Sequence, residues 1–240
     1  MKVRRQCSIW LFAAVAFAAI PNPAQGQDPN AHLYIAHAAP GRNISITTNP
    51  TYPVDVSLRG VCVAQGQSFG EIRGPFTVPP GTYAVHVTVA NASAPCTGAG
   101  IFGATLGLSA GSNSLGVIGL SSSNSVTAMI TSINLSSVPA GQGRLFVVNT
   151  SQDGLVGSLT LINGTGSPIS ANFPGKSVIS AGVFSGLYSA TIYPLGSSMA
   201  ATGPVELGIT SRSVNIVVLA GSTSNNSVQL VGPKEIQAVF

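Results

Sequence analysis

The chain has 240 residues, ten of them Lys or Arg and six Asp or Glu, for a formal net charge of +4. Only 7% of residues are charged while 45% are hydrophobic, a balance that excludes an intrinsically disordered chain, which needs low hydrophobicity or high net charge. The basic excess would point to nucleic acid or an anionic surface if the folded protein carried it, so its location decides what it means.

Most of it lies at the N-terminus. Lys2, Arg4 and Arg5 precede an apolar run from Ile9 to Ile20, Pro21 and Pro23 end the run, and Ala24-Gln25-Gly26 has the small-x-small form of a cleavage site. Residues 1–26 therefore read as a cleaved secretory signal peptide, because the run is too short to cross a bilayer core of about 30 Å. Cys7 precedes the apolar run and so is not placed as a lipobox cysteine. Cleavage after Gly26 removes three basic residues and no acid, leaving a net charge of +1. The remaining cations are scattered singly, which excludes the several simultaneous phosphate contacts that nucleic-acid binding needs. No later stretch is long and apolar enough to be an integral membrane segment of the mature chain. The expected location is exported: periplasm, cell surface or extracellular.

After residue 26 the apolar pattern has period two, broken by Gly, Pro, Asn and Ser, with no sustained helical period. In chain order the predicted strands are Leu33–His37, Val54–Leu58, Thr82–Val89, Ser114–Leu120 and Val126–Ile130, then Leu145–Val148, Leu155–Ile162, Gly186–Tyr193, Val205–Ile209 and Ser213–Leu219. The second set repeats the first. Leu33–His37 aligns with Leu145–Asn149, Gly81–Val85 with Gly186–Ala190, and Leu115–Val117 with Val214–Ile216. The predicted fold class is all-β: two tandem antiparallel, Ig-like β-sandwich modules after the signal peptide. Module 1 is placed at 27–136, a linker at 137–143 and module 2 at 144–240, the break falling in a Ser/Pro/Gly-rich stretch. The solvent faces are written in Ser, Thr, Asn and Gly rather than Lys and Glu, and edge strands without charged gatekeepers are open to self-association through β edges.

Two cysteines remain in the mature chain, Cys62 and Cys96, and an exported chain with two cysteines most simply joins them in one disulfide. There is no CxxC and no Cys/His cluster, so zinc has no evident ligand set.

Three segments resemble a known family: Ala31-His32-Leu33-Tyr34-Ile35-Ala36-His37-Ala38-Ala39-Pro40, Val54-Asp55-Val56, and Pro80-Gly81-Thr82-Tyr83-Ala84-Val85. The chain is similar over residues 31–130 to the domain of unknown function 4397, found in exported bacterial proteins. That family's pattern is a strand ending in His-Ala-Ser-Pro, a Val-Asp-Val strand and a Pro-x-Gly-x-Tyr hairpin. Ala39 stands here in place of the Ser, and the second half has Asn149 where the first has His37. The resemblance implies a β-sandwich module and no established chemistry.

Several local motifs invite a function and lack its context. Gly66-Gln67-Ser68-Phe69-Gly70 matches a nucleophile elbow, which requires a strand-to-helix turn and an acid and then a His downstream. Here the surroundings read as strand and turn. Gly98–Gly103 matches G-x-G-x-x-G, but neither a helix nor an acid about 20 residues on follows it, and it reads as a mobile loop. His37, Asp55 and His86 are weak metal-ligand candidates, against a bland reading of His37 as a core-edge histidine. The isolated acids Asp55, Glu71, Asp153, Glu206 and Glu235 offer few pairs for glycoside chemistry. Tyr34, Tyr52, Tyr188 and Tyr193 could stack on sugars or simply pack in the core. N-x-[ST] sequons begin at Asn43, Asn91, Asn134, Asn149, Asn163 and Asn225. The terminal Phe240 is a feature of outer-membrane barrels, but Lys234 and Glu235 interrupt the alternation that a barrel strand needs.

The sequence reading is a non-enzymatic envelope or extracellular protein with no cofactor. It would act in adhesion, matrix or surface assembly through a surface polysaccharide, a protein partner or its own β edges. The alternatives are a carbohydrate-binding accessory module or weak hydrolase, and periplasmic metal or small-molecule binding through His37, Asp55 and His86.

Overall fold

A computed structural model describes residues 28–40, 53–123, 125–164, 166–224 and 226–238. The expected signal peptide, Tyr52, Phe240 and the sequons at Asn43 and Asn225 lie outside the described residues. Among those residues there are strands and turns and no helix.

The first half contains β1 (Ala31–His37), β2 (Val54–Leu58), β3 (Val61–Gln67), β4 (Ile72–Val78), β5 (Gly81–Val89), β6 (Gly100–Leu108), β7 (Asn113–Leu120) and β8 (Val126–Ser132). The second contains β9 (Gln142–Asn149), β10 (Gly157–Ile162), β11 (Ile169–Phe173), β12 (Val178–Phe184), β13 (Gly186–Pro194), β14 (Thr202–Ile209), β15 (Ser213–Ala220) and β16 (Gln229–Gln237). They form four sheets, ordered β3-β2-β5-β6 and β4-β1-β7-β8 in the first half, β12-β9-β15-β16 and β11-β10-β13-β14 in the second. Strand for strand, the second pair of sheets repeats the connectivity of the first, so the chain is two tandem β-sandwich modules of one topology. The pairings are antiparallel except at the centre of two sheets, where β1 runs parallel to β7 and β9 parallel to β15.

The structure also refines the internal alignment. Ile35 pairs with Gly116 and Val147 with Val217. With Ile35 equivalent to Val147, Gly116 is equivalent to Val217 and Leu115 to Ile216. The sequence match of Leu115 to Val214 is two residues out of register. A slip of two keeps every side chain on its own face, so the alternation could not reveal it.

Three cores hold the sheets together. Leu33, Ile35, Val56 and Val87 lie between the first two sheets, and Leu145, Leu159, Ile192 and Leu219 between the last two. The third core joins the halves: Tyr34, Leu115 and Val117 pack with Phe146, Ile216 and Val218. The β4-β1-β7-β8 and β12-β9-β15-β16 sheets are therefore covered on both faces. This explains why β15 is buried along its whole length and why its sequence, Val-Asn-Ile-Val-Val-Leu, reads as an apolar run rather than an alternation. The segment expected as a linker is held in place. Arg144 donates to the carbonyls of Asn134 and Ser136, Ser185 N donates to Gly141 O, and Val138 is buried.

The duplicated hairpins carry duplicated fastenings. The Tyr83 hydroxyl donates to Pro79 O and the Tyr188 hydroxyl to Phe184 O, each four residues back along the chain. Three outer strands also carry Gly-Pro: Gly74-Pro75 in β4, Gly203-Pro204 in β14 and Gly232-Pro233 in β16. Each lies opposite a break in its neighbour's register. Proline removes a ladder donor there, and the bulge turns the edge away from further pairing.

Candidate functional site

Asp55 illustrates how this fold uses its few charges. Val54 and Val56 of β2 face the core, so Asp55 between them emerges on the far side of the sheet. It is nevertheless buried, because the 90–99 segment folds over it. Its carboxylate accepts three backbone N–H groups: Gly66 at 2.7 Å, Cys96 at 2.8 Å and Asn91 at 3.1 Å. Cys96 is bonded to Cys62 of β3, with Cα atoms 5.8 Å apart. One acid and one disulfide thus pin the same segment, and the disulfide is of a kind that persists in oxidising compartments.

His37 is fully buried at the end of β1, edge-on to Phe69 with ring centroids 6.2 Å apart. Its Nδ1 accepts the N–H of Ala39, which places its ring proton on Nε2. The equivalent residue, Asn149, is also buried, and its Oδ1 accepts the N–H of Ser151, again two residues on. The two side chains perform one task, closing the turn that ends the first strand of each module. His86 is exposed on the outward face of β5. His37 therefore sits at the inner end of the sandwich, whereas Asp55 and His86 belong to the other face of the β2–β5 sheet. Among the described residues no group of three His, Cys, Asp or Glu side chains is placed to hold a metal ion.

The other candidates are placed as plainly. The Gly66–Gly70 motif spans the end of β3 and the turn into β4, with no helix following, so it is not a nucleophile elbow. Of Gly98–Gly103, read from sequence as a mobile loop, Gly100 to Gly103 instead open strand β6. Pairing with β5 overrides its glycine content. Tyr34 and Tyr188 are buried in cores, while Tyr193 is half-buried at the end of β13. Glu71 is paired with Arg73 at 2.6 Å, and Glu235 accepts from Thr210 and Gln237. Asp153 accepts from Thr223 N, Thr223 Oγ1 and Ser222 Oγ. Burial pushes the Asp153 carboxyl up, and these hydrogen bonds outweigh burial and hold it below the usual carboxylate range. Glu206 lines a depression with Ile162 and Leu187 on the outer face of β13. The Asn149 sequon is inaccessible, its Nδ2 donating to Leu155 O. A residue the sequence did not single out is Gln67. Fully buried, it donates from Nε2 to Ile35 O and Glu71 O and ties β3 to the other sheet. A lone Gln at a strand end gives no pattern by which to find it.

A family model described as "Domain of unknown function (DUF4397)" matches residues 31–155. The chain belongs to the DUF4397 family. The match takes in the first sandwich together with β9 and its turn. No curated protein matches the chain. Among solved structures, a Bacteroides ovatus ATCC 8483 protein provisionally assigned to cell adhesion aligns over 90% of this chain and 99% of its own, at 8% identity and a TM-score of 0.32. That similarity is too low to inform function.

The sheet edges of this DUF4397 chain are unevenly guarded. β4 carries Arg73 and Gly-Pro, β14 carries Gly-Pro and Glu206, and β16 carries Gly-Pro, Lys234 and Glu235. By contrast β3 (VCVAQGQ), β6 (GIFGATLGL), β8 (VTAMITS), β11 (ISANF) and β12 (VISAGVF) contain neither a charge nor a proline. Phe184 at the end of β12 and Leu187 at the start of β13 are 67% and 57% exposed.

Proposed function

We propose that the mature protein is an exported, non-enzymatic component of the cell envelope or extracellular matrix that works by holding partners against its sheets. The observation that carries this reading is the uneven guarding of the edges. In one chain three outer strands are blunted by Gly-Pro bulges and charges and a fourth, β3, has Arg73 donating to its Gln65 and Gly66 carbonyls, while four are left with open ladders of backbone donors and acceptors. Unguarded edges are templates for a further strand. The dispersal of the acids and histidines into turns and local pairs supports a surface rather than a reaction centre. The leading peptide at 1–26 and the disulfide support export.

The test is a pair of edge variants on the mature chain, Thr105→Lys in β6 and Ser180→Lys in β12, both at exposed positions. Analytical ultracentrifugation across a concentration series, together with retention on the producing cells' surface, is the readout. Wild type should self-associate or be retained, and the lysines should abolish this without lowering the melting temperature. A wild-type chain that is strictly monomeric and is not retained overturns the proposal.

A further inference from the structure

The first sandwich is not filled. Between its two sheets lies an apolar cavity of about 150 Å³, bordered by Leu33, Ile35, Val87 and Ile118 and reaching the outside between β6 and β8. The exposed residues Thr105, Ala128 and Ile130 form its rim. Thr105 has the one polar side chain in the lining, and no charged residue borders it.

The duplication explains the space. Gly116 lines the cavity, and its counterpart Val217, 1% exposed, fills the equivalent position in the second sandwich. Ala104 pairs with Val85 as Val205 pairs with Ala190, so the first sandwich has Ala on β6 and Val on β5 where the second has Val on β14 and Ala on β13, which moves the open space toward β6 without adding to it. At these three pairs of equivalent positions the net difference between the two copies is the three side-chain carbons that Val217 has and Gly116 lacks. At the equivalent place in the second sandwich Leu207 and Ile209 of β14 are buried, and Leu230 of β16 packs against the same core. A β-carbon on Gly116 would meet its nearest neighbour, Tyr34 O, at 3.9 Å, so backbone crowding does not require the glycine.

The shape narrows the occupant. The lining follows β6 from Phe102 to Leu106, about 13 Å at the rise of a strand, so the space is long and thin. An apolar cavity of this size takes apolar guests. A charge carried inside would lose its hydration with no counter-charge to meet it.

We propose that this slot binds a straight alkyl chain, the tail of an amphiphile whose polar head stays in water at the β6–β8 rim. The slot opens beside β6 and β8, two of the edges in the reading above, but it does not depend on strand pairing there. Dissociation constants of 1-hexanol, 1-octanol and 1-decanol for the mature chain test it, read from methyl NMR shifts. The shifts should fall on Leu33, Ile35, Val87 and Ile118, with affinity rising about fourfold per added methylene until the slot is full. Gly116→Val and, separately, Ala104→Val should weaken 1-octanol at least tenfold while keeping the wild-type melting temperature or raising it. The wild-type shift map decides the case even if a variant fails to fold. Shifts confined to the second sandwich, no saturable binding of 1-decanol, or equal binding by a folded Gly116→Val chain would each overturn the proposal.

Discussion

Replacing Asp55 by Ala tests whether one buried acid anchors the 90–99 segment. The substitution leaves three backbone N–H groups, those of Gly66, Asn91 and Cys96, without their acceptor. A hydrogen bond to a charged group contributes about 1.5–3 kcal/mol, and removing the charge returns part of the cost of having buried it. The net loss is then about 3–5 kcal/mol, a large share of the 5–15 kcal/mol typical of a domain. Asp55→Asn should fall between, at about 1–3 kcal/mol, because its amide N–H₂ would face donors. The disulfide supplies an internal control. Its cysteines are 34 residues apart in sequence, and in the chain-entropy model closing that loop stabilises by about 4 kcal/mol. Cys96 both donates to Asp55 and bonds to Cys62, so the two fastenings share a segment and cannot be additive. Once the disulfide is gone the segment frays, and Asp55 has less to hold. In urea melts of wild type, Asp55→Ala, the Cys62→Ser/Cys96→Ser pair and the triple variant, the Asp55→Ala loss should shrink by about 1–2 kcal/mol in the disulfide-free background. A loss under 1 kcal/mol in the oxidised protein, or equal losses in the two backgrounds, would refute this account of Asp55.

Three further outcomes follow from the same geometry. His37→Asn should stay within about 1 kcal/mol of wild type in urea melts, because Asn149 closes the equivalent turn, whereas His37→Ala should lose about 1–2 kcal/mol with its acceptor. Gly203→Ala would place a methyl 2.7 Å from Ala190 O at a φ of +110°, so a loss of at least 2 kcal/mol is expected. Gly60→Ala, at a φ of +79° with open space around it, should cost only the left-handed backbone penalty of about 1–2 kcal/mol. Asp153 has a folded pKa held below the ordinary carboxylate range, so its contribution is present at neutral pH and is lost as pH falls through that depressed value. Thermal melts from pH 7 to pH 2 should show Asp153→Asn less stable by about 1 kcal/mol at neutral pH, given the exposure of the group, with the gap closing in acid.

The strands that could be read from sequence and those that could not divide by position in the sheet. All eight central strands, β1, β2, β5, β7, β9, β10, β13 and β15, were legible, because a strand flanked on both sides must keep its apolar pattern. The unread ones, β3, β4, β6, β11, β12 and β16, are all edges, and only two edges, β8 and the Val205–Ile209 part of β14, kept enough apolar pattern to be read. An edge needs only one partner, so it tolerates the Gly-Pro of β4 and β16 and the three glycines of β6, features that otherwise spell turn. The candidate site divides by a different cause. Cys62 and Cys96 were legible because they alone remained to pair. The role of Asp55 was not, because its partners are backbone N–H groups brought by a segment some 40 residues away. The slot was invisible for the opposite reason, since what marks it is the side chain that Gly116 lacks.

The face that joins the two sandwiches is built from matching positions. Tyr34 and Phe146 are equivalents, as are Leu115 and Ile216, and Val117 and Val218, and all six lie in one core. Like meeting like is the pattern of a two-fold homodimer interface. A pair of separate sandwiches joined this way would fall apart on dilution, and its stability would depend on protomer concentration. Tethering holds the second face at an effective concentration near the millimolar range whatever the protein's own concentration. For a chain released from the cell, the duplication therefore makes a dimer that dilution cannot dissolve.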